Sequence, residues 1–73
     1  MPMNLMNIIE YIVLIVSEFA NRSGISEADA YAYLNNYGAL ALCEKHYGVM
    51  HTLSIEDNIE SLAEYCRRKG GVL

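Results

Sequence analysis

Few side chains in this sequence carry the atoms of catalysis or metal binding, and four of them fall in its second half: Cys43, His46, His51 and Cys66. Thiolate and imidazole together suit a zinc site or a Cys–His nucleophile pair. Cys43 and His46 are three residues apart and share one face of a helix. His51 follows a turn, and Cys66 lies on the apolar stripe of the last helical segment. A zinc site is recognisable when its ligands come as paired C-x₂-C and H-x₃-H ends, and neither pair occurs. Cys43 sits between Leu40 and Tyr47 on an apolar face, where a free thiol packs as a small hydrophobe. No phosphate-cradling glycine loop is present, and 73 residues give little bulk to enclose a ligand pocket of ordinary size. The expectation is a non-enzymatic domain with no catalytic residue, no cofactor and no metal. A small metal- or anion-binding domain centred on His46 and His51 is the alternative.

The densest run of such residues is H-Y-G-V-M-H-T, residues 46–52. Tyr47 closes a helical segment, Gly48 is its natural stop, and Val49 and Met50 can pack inward. His51 and Thr52 then lie just before the start of the next helix, where His51 can donate to free carbonyls and Thr52 can brace the turn. The same position also suits a second role, holding a carboxylate or phosphate at a helix start. Tyrosine supplies nearly all the aromatic mass, with six tyrosines, one phenylalanine and no tryptophan. A tyrosine ring packs while its hydroxyl stays wet, which suits a core rim and a protein interface equally. Tyr31 and Tyr33 cannot share a helix face, so at least one points outward. Tyr37, Tyr47, His51 and Thr52 are the candidate interaction or anion-facing residues.

The elements that must hold these residues are all helical. The pattern predicts a compact bundle of about four short helices over 3–22, 26–37, 39–47 and 54–69, in a single domain spanning 1–73. The first is long and nearly apolar all round, with a narrow polar stripe through Asn7, Glu10, Ser17, Glu18 and Asn21, so it belongs at the centre, packed by the other three. Its β-branched run Tyr11–Val16 has no second strand to pair with, which argues against a sheet. Ser26 with Asp29, and Ser54 with Asp57, each place a cap residue three positions before an acid, with Ile25 and Leu53 as staple residues. Gly38 and the pair Gly70-Gly71 stop the second and last helices.

Composition narrows the partners. Hydrophobic residues make up 53 % of the chain and charged residues only 19 %, more apolar area than a domain this short can hide. The surplus calls for a protein partner or self-association, a structural homodimer being one form. Nine acids face five bases, and residues 1–66 hold all nine acids but only Arg22 and Lys45. Such a surface repels phosphate backbones, so nucleic-acid binding is not expected. A helix-turn-helix reader fails for the same reason, because the segment Ala39–Tyr47 offers mostly Ala and Leu where base contacts need Arg, Lys, Asn or Gln. Arg67-Arg68-Lys69 instead complements the negative end of the last helix. The uninterrupted apolar run of the first helix, Tyr11–Val16, is too short to span a membrane. A cytoplasmic protein with two reduced cysteines is expected.

The elements G-I-S-E-A-D-A-Y-A-Y-L (24–34), N-Y-G (36–38), H-Y-G-V-M-H-T (46–52) and I-E-D-N-I-E-S-L-A-E-Y (55–65) resemble a small bacterial family, number thirty-seven ninety-one among the domains of unknown function. The resemblance runs from about Ile8 to Gly70, and Tyr37-Gly38 and His51-Thr52 stand at the matching motif positions. Gly48 departs from the pattern, where a polar residue such as Asp is expected. The resemblance implies a bacterial domain encoded beside ADP-ribosyltransferase-like proteins, in the manner of toxin–antitoxin cassettes. An antitoxin-like or accessory partner of such an enzyme is the role it suggests.

Overall fold

The computed structural model describes residues 5–73, with side chains from Ile8 onward. Five helices follow in order: α1 Leu5–Ser23, α2 Glu27–Asn36, α3 Ala39–Lys45, α4 Tyr47–Met50 and α5 Ile55–Arg68. No strand occurs among the described residues, and the all-α bundle expected from the sequence is the architecture. The predicted helix start at Met3, and the placement of Asn7 on the polar stripe, lie outside what the structure describes.

Local chemistry sets most of the boundaries. The Ser26 hydroxyl accepts from the Asp29 backbone N–H at 3.0 Å, and Ser54 accepts from Asp57 N–H at 3.1 Å. Each cap satisfies a donor that the first helical turn leaves free, which contributes about 1 kcal/mol. Between α2 and α3, Gly38 takes φ +80°, a left-handed conformation that an L side chain adopts only with strain. The Tyr37 and Gly38 N–H groups there close α2 onto Tyr33 O and Asn35 O, at 3.3 and 3.2 Å. The Tyr-Gly pair is thus the hinge that lets two helices meet with no linker.

The helices close around Ile15, Phe19, Leu34, Cys43, Leu62 and Cys66, all less than 2 % exposed. α1 supplies Ile15, Val16, Phe19 and Ala20 to this core and packs on α2, α3 and α5. Toward its start the same helix is less covered: Ile9 and Val13, which continue the stripe of Val16 and Ala20, and Leu14 remain 49 %, 62 % and 45 % exposed. No helix among the described residues is long and apolar enough to cross a membrane.

One boundary differs from expectation. The segment predicted as a single helix over 39–47 ends at Lys45, and a separate turn, α4, carries Tyr47–Met50. Gly48 is therefore inside a helix, at an ordinary φ, and does not terminate one. The break falls at His46, with φ −112° and ψ 20°. Its physical cause is long-range: the turn lowers Met50 into the core, 8 % exposed, and offers the Met50 carbonyl to Asn58 of α5. Val49, expected to pack inward with it, is 64 % exposed.

The chain after α5 folds back on the bundle. The Leu73 N–H donates to the Tyr33 hydroxyl at 3.0 Å, and the Arg67 guanidinium reaches Leu73 O at 3.4 Å. Gly71 passes so close that a Cβ there would stand 2.1 Å from the Tyr33 hydroxyl and 2.9 Å from the Cys66 carbonyl. Only glycine allows that approach.

Candidate functional site

The H-Y-G-V-M-H-T stretch folds into a joint held by aromatic rings and one amide. Tyr11 of α1 meets the edge of Tyr47 with ring centroids 5.2 Å apart, and Tyr47 stacks on His51 at 4.8 Å. Beneath them, Asn58 of α5, 2 % exposed, donates to the Tyr11 hydroxyl at 2.6 Å and to the Met50 carbonyl at 2.7 Å. One amide thus ties α1, the end of α4 and α5 together. A buried amide is tolerated only because its hydrogens are used. Burial, with the nearby Cys43 and Tyr47 adding to it, pushes the Tyr11 hydroxyl up to about 12.

The residues singled out from the sequence take distinct places around this joint. Thr52 braces the turn as expected, its hydroxyl donating to the Val49 carbonyl at 2.6 Å. His51 contributes its ring face to Tyr47 and its backbone N–H to Tyr47 O at 3.0 Å, while the side chain stays at the surface. His46 is exposed and makes no side-chain cap. Tyr37 belongs to a second aromatic group, edge-on to Tyr33 at 5.0 Å, with Tyr33 stacked on Phe19 at 5.7 Å. The structure brings Tyr47, His51 and Thr52 together and leaves Tyr37 in that other cluster. Tyr31 is the tyrosine of the 31/33 pair that points outward, 52 % exposed.

The two thiols are interior groups. Cys43 and Cys66 are both free and fully buried, on facing helices. Burial first, then the charge of Glu44 and the neighbouring Cys66, pushes the Cys43 thiol up to about 11, and burial alone raises Cys66. A thiol so shifted stays protonated at neutral pH and is a poor nucleophile. Among the described residues no group of three or more His, Cys, Asp or Glu side chains could hold a metal ion.

Concave surface lies elsewhere. A groove of about 380 Å³ opens between α1, α2 and α3, lined by Ile9, Ile12, Val13, Tyr31, Asn35, Leu40, Ala41 and Glu44. Another, of about 310 Å³, runs beside the Arg22–Glu60 ion pair, with Ile55, Ile59, Glu18 and Glu56 along it. The first is lined by Ile9 and Val13, two of the three large exposed apolar side chains of α1.

Two features escaped the reading from sequence. Asn58 breaks the apolar stripe Ile55, Ile59, Leu62, Cys66 as the one amide at helical spacing, and that interruption was its available signal. The exposed row on α1 had none, because an all-apolar helix does not announce which side its neighbours leave open.

Residues 10–69 match the protein family described as protein of unknown function, DUF3791. No curated protein and no solved structure matches the chain.

Proposed function

The chain belongs to this family of proteins of unknown function, and from that premise we propose that it is a non-enzymatic protein–protein interaction module. The observation that supports the reading is the exposed apolar pair Ile9 and Val13 on α1, with Tyr31 across the groove that they line. Scattered apolar residues on a surface are ordinary, but a contiguous set framing a concave surface marks a place where another molecule sits. Tyr47, stacked on His51, and Thr52, bonded to the Val49 carbonyl, are used within the joint itself, which supports a structural role for them.

The proposed setting is the bacterial cytoplasm, and the proposed partner an ADP-ribosyltransferase-like enzyme encoded alongside, to which the domain acts as an antitoxin-like or accessory subunit. Its net charge of −4 suits a basic enzyme surface. Co-expression of the two proteins followed by size-exclusion chromatography and sedimentation tests this reading. A stable 1:1 or 2:2 complex is the expected result, and separate elution at about 10 µM overturns it, since that concentration reveals any functional affinity of ordinary strength. A homodimer in the absence of any partner favours the structural-dimer alternative.

A further inference from the structure

Resting on that reading, we propose that the groove between α1, α2 and α3 receives one amphipathic helix of a partner protein, with basic residues flanking its apolar anchors. The walls have the form that a single helix needs. Ile9 and Val13 on α1, and Tyr31 and Asn35 on α2, are i, i+4 pairs, so each helix presents two side chains in a row along the cleft. Leu40 and Ala41 form the α3 side, and small Ala41 leaves room for the backbone of an incoming turn. Helix-in-groove recognition uses a few anchors spaced i, i+3 or i+4, and i+7, which is what eight lining residues can serve. An extended peptide has no sheet edge to join, since the described residues include no strand.

Two quantities select a partner helix over a second copy of this chain. A stable dimer buries about 800 Å² on each side, using about 20 to 30 residues, against a total surface of 4691 Å² and a groove lined by only eight residues. Charge points the same way. Glu44 lines the groove, and exposed Glu10 lies beside Ile9 and one turn before Val13. Exposed Lys45 stands one turn beyond Ala41. A two-fold dimer through the groove sets this acidic rim against itself, whereas a helix with Lys or Arg beside its anchors neutralises it.

The test uses helix-locked peptides with Leu anchors at i, i+3 and i+7 and either Lys or Glu at every flanking position, titrated into the full chain by fluorescence polarisation. Lys-flanked peptides are expected to bind at least about tenfold more tightly than Glu-flanked ones, with the gap closing as salt rises from about 0.05 to about 0.3 M. Val13→Asp removes binding, and Glu44→Lys reverses the preference for Lys over Glu; circular dichroism checks that both variants are folded. Equal affinity for the two peptide sets, no binding of either, or binding unaffected by Val13→Asp overturns the proposal, as does a concentration-dependent dimer that Val13→Asp dissolves. A co-purified partner that still binds the Val13→Asp variant refutes the groove alone, while the lack of any partner refutes the interaction-module reading itself.

Discussion

α1 and α5 pack against each other in the same core, yet their outer faces are finished in opposite ways. On α5 every buried position is answered by a polar one: Ile59, Leu62, Ala63 and Cys66 face in, while Glu56, Asp57, Glu60, Ser61, Glu64, Arg67 and Arg68 face water. Its acids stand in the first turn and its arginines in the last, as the helix dipole favours. On α1, Ile15, Val16, Phe19 and Ala20 are buried, but its exposed surface carries Ile9 and Val13, which continue the stripe of Val16 and Ala20, and Leu14 beside Glu10. The exposed surface of α5 is mostly charged, whereas that of α1 includes three large apolar side chains.

That contrast can be broken by measurement. The largest effect falls on the inner face of α5: Leu62→Ala, at a position with 0 % exposure, costs about 2–5 kcal/mol in urea or thermal unfolding. In a domain this small such a loss is a large part of the total stability. Next comes Asn58→Ala, which strips the Met50 carbonyl and the Tyr11 hydroxyl of their shared partner and costs about 1–3 kcal/mol. The joint it holds loosens, so amide exchange in α4 accelerates before the rest of the molecule opens.

Alkaline pH attacks the same interior. An unfolded Cys43 loses its proton near its ordinary value of 9.0, while the folded thiol holds it to about 11; for Tyr11 the two values are 10.0 and about 12. Both groups bind more protons folded than unfolded in that range, so the stability they contribute is intact below about pH 9 and declines from there to about pH 12. Urea midpoints across that range check the sign, and slow reaction of both native thiols with a thiol reagent at neutral pH checks the cause. A smaller change follows from His51→Ala, which removes the ring stacked on Tyr47 and costs less than about 1 kcal/mol. Partner binding should survive it, and a loss of binding with stability intact would instead make His51 the anion-facing residue that its helix-start position allows. Smallest of all is the stability change for Val13→Asp, under about 0.5 kcal/mol, at a side chain 62 % exposed. A destabilisation comparable with Leu62→Ala would show that α1 has no free face.

Much of this arrangement was legible residue by residue. Ser26 and Ser54 could be placed as caps because a cap is a contact between residues three apart, complete within one turn of chain. Tyr37-Gly38 could be placed as a stop because the left-handed backbone there is a property of glycine itself. Cys43 and Cys66 could be assigned to the interior from the helical spacing of their neighbours, and both are buried. That Tyr31 and Tyr33 could not both face inward followed from helix geometry, and the structure shows Tyr31 to be the outward one. Gly48 misled for an instructive reason. A glycine after a helix normally ends it, but the break came two residues earlier, at His46, so that Met50 could reach the core and Asn58 could find its carbonyl.

By itself, then, the amino-acid order determined the helical class, the caps and turns, the apolar inner faces and the acidic charge. Each of these is settled by neighbours within about one or two turns of helix. Only the tertiary structure decided that Tyr11, Met50 and Asn58 share one hydrogen-bonded joint, that Gly71 must slip past Tyr33, and that α1 keeps an apolar face open beside Tyr31. Those outcomes depend on which helices lie across from one another. An apolar residue carries no mark of whether its side of the helix will be covered, because burial is conferred by the partner surface and not by the side chain.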